Sequence, residues 1–227
     1  MLAPEQPGDS LRSARERDAR PRNATKGADM SNAESTLRPS YIVLILNELG
    51  RLARHLGHYE EAEALHREAL DILKSLFEET DLHITWTKSA LGRSLLKQGR
   101  PSEALLFHQQ VLSIEVERLG KDHPHTLWTM SDIVRCLRDL DRLDDAISMQ
   151  QEIVDRSDSV LGSQNPDTLW AINSLGLLLE TAGNVRMAVN VQGTAYKGQI
   201  AILGGNHPHC VWTRDVLQKL QSAPGVT

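Results

Sequence analysis

The chain has 227 residues and a formal net charge of -5 at pH 7. This negative balance argues against generic attraction to nucleic acid or to an anionic membrane, so we expect neither as a partner. The longest apolar run, 41–46, is far shorter than the ~20 residues that cross a bilayer. The two cysteines, Cys136 and Cys210, suggest neither a disulfide framework nor a thiolate metal site, and they favour a reducing, cytoplasmic setting.

The first 39 residues differ in composition from the rest of the chain. They contain scattered proline and glycine and almost no large apolar side chains, so they cannot bury enough surface to offset the entropy cost of ordering. Several arginines lie here, but Asp9, Glu16 and Asp18 are interleaved with them, unlike the acid-poor composition of a transit peptide. We predict disorder for 1–39 and for 222–227, with one repeat domain over 40–221.

The strongest feature of the sequence is a fixed period of 42 residues. All four tryptophans keep this step, and three other columns follow it: a turn column, an alanine column and a leucine column. A period of this size predicts a solenoid of stacked supersecondary units. The four tryptophans are Trp86, Trp128, Trp170 and Trp212, and the alanines are Ala62, Ala104, Ala146 and Ala188.

Each unit is predicted to be a pair of α-helices joined by a tight turn. In the unit 124–161, Pro124 suits the first turn of a helix, and apolar residues then recur at helical spacing. The turn falls at Asp141, where the other units place a glycine that can adopt φ > 0 (Gly57, Gly99 and Gly183). The predicted fold is therefore all-α, an α-α superhelix of about four helix pairs plus a C-terminal capping helix. The predicted repeats lie near 41–77, 82–119, 124–161 and 166–203, and the cap lies at 208–221.

The sequence resembles the tetratricopeptide repeats of kinesin light chains. The resemblance is carried by Leu119-Gly120 followed by the run 123–128 (HPHTLW), and by the elements Gly57 to Ala62 and Gly99 to Ala104. It covers residues 41–221 and implies a superhelix whose concave face is lined by the first helix of each pair. In that family this groove binds short peptide segments of partner proteins. The same repeats also occur in fungal and bacterial signalling proteins that carry a nucleotide-binding switch domain.

Ten side chains on the first helices are the predicted peptide-binding residues. They follow the tryptophan column and the positions three and seven residues after it. Aromatic and arginine side chains are common at binding hot spots, and Asn and Ser can hydrogen-bond an extended peptide backbone. These residues are Asn47, Arg51, Trp86, Ser89, Arg93, Trp128, Ser131, Arg135, Trp170 and Asn173.

Charge in the arginine column predicts the ligand. Arg51, Arg93 and Arg135 share one column, so we expect a row of like charges that an acidic peptide would neutralise. Two alternatives stay open at this stage. The tryptophan rings could be largely buried between adjacent helix pairs, and the arginines could pair with acidic residues on the second helices.

No metal, cofactor or catalytic site is predicted. The pairs His123/His125 and His207/His209 are more simply explained as parts of helix starts, because alternate residues there point apart. No catalytic motif is present. Gly120-Lys121 is not part of a phosphate-loop motif, because Asp122 follows it and residue 115 is not a glycine. We expect a non-enzymatic, cytoplasmic interaction scaffold, as a monomer or weak homodimer. The alternatives are a small-molecule-binding protein or enzyme with a pocket inside the superhelix, and a C-terminal fragment of a larger nucleotide-switch signalling protein.

Overall fold

The computed structural model describes residue 39 and residues 41–222. Within this range the chain forms nine α-helices and no β-strand. From the second helix on, each helix packs against the next one in sequence, and the first contacts the second through Asn47 and His66. In chain order they are α1 (41–55), α2 (Tyr59–Leu76), α3 (Leu82–Lys97), α4 (Pro101–Leu119), α5 (Pro124–Asp139), α6 (Leu143–Leu161), α7 (Pro166–Thr181), α8 (Val185–Leu203) and α9 (Pro208–Gln221).

The predicted all-α repeat architecture is confirmed. The described residues form four helix pairs and a last single helix, and the first helices α3, α5 and α7 each have 16 residues. The chain divides into two units, Met1–Ile42 and Val43–Thr227, and the solenoid lies in the second. The predicted disordered ends, 1–39 and 222–227, lie outside the described residues except for residues 39 and 222.

The turn column adopts the left-handed backbone conformation that the sequence predicts. Gly57, Gly99 and Gly183 have φ between 75° and 88°, and Asp141 has φ 59° in the remaining repeat. Aspartate is among the few residues with a side chain that tolerate this region. The helical hairpin of the third repeat therefore closes without a glycine.

The helix starts have a common cap. The side chain of the residue before each of α3, α5, α7 and α9 accepts a hydrogen bond from the backbone N–H two residues later. Asp81 and Asn165 do so with a side-chain oxygen, as N-caps normally do. His123 and His207 do the same with ring Nδ1, at 3.2 and 3.3 Å. The structural interpretation of these two histidines as helix-start residues is thus supported by a specific contact.

Small residues allow the helices of each pair to approach closely. All four members of the alanine column are fully buried. Glycine plays a related part on the first helices: a Cβ built on Gly50 or Gly92 would lie 2.6 Å from the ring of His66 or His108 on the second helix. The bare glycine backbone therefore makes room for an imidazole.

Those two histidines are held neutral by burial. Burial lowers the pKa of His66 and of His108 from 6.5 to about 4, and nearby arginine charge acts in the same direction. His66 Nδ1 lies 3.2 Å from Asn47 Oδ1. Glutamine takes the same place in the third and fourth repeats, where Gln150 and Gln192 donate to backbone carbonyls at 2.9 and 3.2 Å.

Candidate functional site

Polar side chains join the first helices in the first half of the solenoid. Asn47 on α1 donates to Thr87 Oγ1 on α3 at 3.0 Å. Arg93 on α3 donates through Nε to Asp132 Oδ2 on α5 at 2.6 Å. Between α5 and α7, both of which are fully described, no side-chain hydrogen bond or salt bridge is present. The surface formed by the first helices therefore changes character at α5.

The arginine column is not a row of unpaired charges, and that part of the prediction is wrong. Arg51 pairs with Glu48 at 2.7 Å. Arg93 and Arg135 both bind Asp132, which is fully buried. The alternative of pairing with the second helices is also wrong, because both acidic partners lie on first helices.

The cluster nevertheless carries excess positive charge. Arg54 lies near Arg93, Arg135 and Asp132, and burial, followed by the charge of Arg93, lowers the pKa of its guanidinium. Its Nε has no hydrogen-bond partner among the described residues. Four arginines in this cluster face the two carboxylates of Glu48 and Asp132, which leaves two positive charges in excess.

The tryptophan column lies at the surface. The exposed fractions of Trp86, Trp128, Trp170 and Trp212 are 44%, 55%, 56% and 43%. The alternative in which the rings are largely buried between helix pairs is therefore wrong. Half-exposed indoles retain both an apolar face and an N–H donor for a ligand.

The tryptophans belong to an aromatic ladder that crosses the repeats. His125 contacts Trp86 of the preceding repeat at 5.7 Å and Trp128 of its own repeat at 5.0 Å between ring centroids. His209 contacts Trp170 in the same way, at 5.8 Å. In the fourth repeat the position in register with these histidines is Asp167. The ladder is therefore interrupted between Trp128 and Trp170.

A cavity of about 400 Å³ opens at this interruption. It lies between α5, α6 and α7. Trp128, Ser131, Arg135 and Trp170, four of the ten predicted residues, line it together. Asp167, which lies between Trp128 and Trp170 in the sequence, also lines the cavity. Aliphatic side chains of α6 and α7 complete the wall, among them Ile153, Val160, Leu177 and Leu178. The arrangement combines an apolar chamber with two carboxylates, Asp122 and Asp167, and two guanidiniums, Arg135 and Arg138.

Not every predicted residue is accessible. Ser89 is 7% exposed and Asn173 is 1% exposed, so neither side chain presents a polar group at the surface described here. Asn47 is half-buried and uses its amide within the protein, on Thr87 and His66. Asn173 Oδ1 is buried without a partner among the described residues.

Sequence reasoning missed two residues of the site. Asp132 neutralises two arginines from different repeats, and Asp167 replaces a ladder histidine. Asp167 could have been found from the sequence, because it is the one acidic residue in the column Tyr41, His83, His125, Asp167 and His209, whose other members are aromatic or imidazole rings. Asp132 gives no such signal, because its column reads Glu48, Ala90, Asp132 and Ser174.

Within residues 41–222 no group of three or more His, Cys, Asp or Glu side chains is arranged to hold a metal ion. His123 and His125 stack on each other, as do His207 and His209, with ring centroids 5.4 and 5.3 Å apart. Cys136 and Cys210 are both buried as free thiols, and burial raises the pKa of Cys136 to about 12. In the same part of the chain, no helix combines the length and the apolar character that crossing a bilayer requires.

Similar folds occur in several solved structures. A kinesin light chain-type protein of Podospora anserina with nearly identical TPR-like repeats superposes with a TM-score of 0.73 at 22% identity, covering 82% of this chain and 88% of that one. BtubC (BKLC) from P. vanneervenii has a TM-score of 0.73 at 20% identity, covering 88% and 80%. The Rap conjugation gene regulator of plasmid pLS20, solved in complex with the Phr* peptide, has a TM-score of 0.65 at 15% identity, covering 86% of this chain and 52% of that regulator.

These likenesses concern the fold, since all identities are below 25%. No curated protein sequence matches the chain significantly. The family model for the tetratricopeptide repeat matches residues 41–115 and 126–201, which is most of the chain and includes three tryptophans of the 42-residue column. The chain therefore belongs to the tetratricopeptide repeat family, and its structural neighbours include kinesin light chain-like members.

Proposed function

We propose that the protein is a non-enzymatic interaction scaffold that binds an extended peptide segment along its first helices. The observation that carries the proposal is the cavity between α5, α6 and α7, where Trp128, Ser131, Arg135 and Trp170 meet. Exposed aromatic side chains beside a concave apolar surface are typical anchors for a partner side chain. We propose that the peptide places an apolar side chain here.

The arginine cluster supports an acidic character for the peptide. Arg93 donates to Asp132 through Nε, and Arg135 does so through Nη2, so each guanidinium has other N–H donors left. Together with Arg51 and Arg54 they exceed the local carboxylates by two charges. A carboxylate of the peptide would therefore meet charge-assisted donors that are already positioned by Asp132.

The family context supports the same proposal. Tetratricopeptide superhelices typically serve in protein interactions, and the Rap regulator of similar fold was solved with a peptide bound. The cytoplasm is the proposed compartment, on the basis of the two free cysteines. A monomer or weak homodimer remains the proposed state.

A display library of random peptides, selected on the purified protein, tests the proposal. We expect enrichment of peptides that combine an apolar anchor with Asp or Glu. Their affinity, measured by fluorescence anisotropy, should fall between 0.15 M and 1 M salt, because the Debye length shrinks from about 8 Å to about 3 Å.

Two outcomes would contradict the proposal. One is the absence of any enriched peptide on the folded protein. The other is a selected pool with no excess of acidic residues and an affinity independent of salt, which would remove the arginine cluster from recognition. Arg93→Glu is unsuitable as a variant here, because it would place a second carboxylate against buried Asp132. Arg135→Gln, at a half-exposed position, is the better variant for measuring how much the arginine cluster contributes to peptide affinity.

A small-molecule ligand is a second candidate, and the size of the cavity favours it. About 400 Å³ falls within the range of ligand pockets, which runs from about 300 to 1,000 Å³. A metabolite library screened by thermal shift separates the two functions. A hit whose stabilisation is lost in Trp128→Ala would support the small molecule, and a screen without such a hit would leave the peptide.

A further inference from the structure

Asp167 occupies the place of a ring in the aromatic ladder. His125 lies between Trp86 and Trp128, at 5.7 and 5.0 Å between ring centroids. One period later, the same position between Trp128 and Trp170 is held by Asp167. The repeat thus replaces an imidazole by a smaller, anionic side chain that lines the cavity with both indoles.

Among residues 39 and 41–222, no salt bridge or hydrogen bond involves the side-chain oxygens of Asp167. Its backbone N–H donates to Asn165 Oδ1 at 2.8 Å. The other acidic residue that lines the cavity, Asp122, is already bound by Arg156 at 2.7 Å. Asp167 is therefore available to balance a charge brought by a ligand.

We propose that Trp128, Asp167 and Trp170 form a binding site for an ammonium-type cation. A cation over an indole face is attracted by the ring quadrupole, and cages of aromatic side chains bind alkylated ammonium groups on this principle. A carboxylate beside the two rings adds a direct ionic contact. The exposed faces of both tryptophans leave the site open to a ligand from solvent.

The occupant of this site is a lysine-type side chain of the bound peptide, a second side chain next to the apolar one that lies against the aliphatic wall of the same cavity. This assignment of the occupant rests on the proposed peptide-binding function, and it makes Asp167 a determinant of peptide specificity. Arg135 lies seven residues after Trp128 on α5, so the two side chains start about 10 Å apart along the helix. A ligand that satisfies both ends carries a cation at the tryptophans and an anion about 10 Å away, which is about three residues of extended peptide. Charge complementarity thus fixes the orientation of the peptide in the groove.

The affinity for a cation can be measured without any peptide. We use tetramethylammonium chloride as the probe and neopentyl alcohol, a neutral compound with a similarly bulky trimethyl head, as the control ligand, at constant ionic strength. Binding is followed on the indole N–H resonances of the four tryptophans, each assigned by a Trp→Phe variant. We expect saturable shifts of Trp128 and Trp170 with the cation, while Trp86 and Trp212 move little.

Two variants at residue 167 test the role of the carboxylate. Asp167→Asn keeps the shape and removes the charge, and Asp167→His restores the residue found in the neighbouring repeats. Both should weaken tetramethylammonium binding at least about tenfold, as expected for loss of an ionic and cation–π contact. An unchanged melting temperature shows that a variant is folded. If one of the two variants does not fold, the other still tests the role of the carboxylate.

The source of the cation is resolved by a third probe, the methylamide of N-acetyl-lysine. Shifts of Trp128 and Trp170 with this probe support a side-chain ligand, whereas shifts with tetramethylammonium alone overturn that assignment in favour of a small quaternary ammonium compound. Equal binding of neopentyl alcohol and the cation, or equal binding to wild type and Asp167→Asn, overturns the cation site itself. Such a result leaves the peptide proposal standing, because the display selection tests it separately.

Discussion

The first and second halves of the solenoid place different side chains at the same buried position of the second helix, where it packs on the first helix. In the first two repeats a buried histidine, His66 or His108, packs on a glycine of the first helix. In the fourth repeat Gln192 packs on Gly176 in the same way, and in the third Gln150 occupies the position. Because only histidine titrates near neutral pH, one half is sensitive to acid at positions where the other half is not.

The aromatic ladder and the polar contacts show the same division. In the first half, Asn47 and Arg93 tie consecutive first helices together, and His125 fills the space between two tryptophans. In the second half, α5 and α7 lack such a contact and Asp167 leaves a cavity. A repeat protein can therefore keep one backbone and develop a ligand site where a single column departs from its consensus.

The largest difference between the halves should appear in the pH dependence of stability. Folding lowers the pKa of His66 and His108 from 6.5 to about 4. Below pH 6.5 the unfolded chain binds protons that the native protein does not, so the free energy of unfolding falls as the pH falls towards 4. Each histidine contributes a slope of up to about 1.4 kcal/mol per pH unit. Urea unfolding between pH 6.5 and 5 measures it.

His108→Gln introduces the residue type found at this position in the third and fourth repeats. It should lower the slope of the free energy of unfolding against pH by the contribution of about one proton. The matched exchange, Gln192→His, should add a proton to it. The window above pH 5 keeps the measurement apart from the carboxylates with lowered pKa, such as Glu48 and Glu103, whose contribution is lost only as the pH falls below about 4.5. A slope that is the same in wild type and in both variants would show that the histidines are not the source of acid sensitivity.

The next largest difference concerns the glycines. Gly92→Ala places a methyl group 2.6 Å from the rigid imidazole of His108, and we expect a loss of about 1–3 kcal/mol in the free energy of unfolding. Gly176→Ala places a methyl group 2.7 Å from Cγ of Gln192, which is also fully buried. It should cost less, because an unbranched side chain with three torsions adjusts to a new contact more readily than a rigid ring.

Gly193→Ala is the control for both glycine variants. This glycine lies within α8 and a Cβ there meets no atom within 4 Å, so the change should raise stability by about 0.5–1 kcal/mol through helix propensity. Chemical unfolding at pH 7 measures all three variants. A Gly92→Ala protein as stable as Gly193→Ala would remove the close glycine–imidazole packing as a feature of the first half.

The sequence predicts the fold almost completely, because the 42-residue period repeats each helix start, turn and alanine contact four times. The turn at Asp141 follows from its register alone. The degree to which side chains are paired is less predictable. Asp132 has no counterpart at the same position in the neighbouring repeats, and its contact with Arg93 joins residues that are 39 positions apart.

The state of the tryptophans needed the structure for another reason. An indole at the start of a helix can be buried between adjacent repeats or exposed at the surface above them. The sequence shows the same 42-residue period in both cases. In the structure the rings stay half-exposed, and His125 and His209 of the following repeat contact Trp86 and Trp170. The cavity likewise is lined by residues along α5, α6 and α7, with Asp167 among them, and no single motif encodes this combination.

The central claim is that peptides bind beside Trp128 and Trp170 on the first helices. The most direct measurement is the affinity of a selected peptide for Trp128→Ala and for Trp212→Ala, by fluorescence anisotropy. Trp212 belongs to the same column and is similarly exposed, but it does not line the cavity. We expect Trp128→Ala to weaken binding at least about tenfold, as for an anchor residue, and Trp212→Ala to leave it within about twofold. Equal losses, or full affinity in Trp128→Ala, would place recognition elsewhere on the protein.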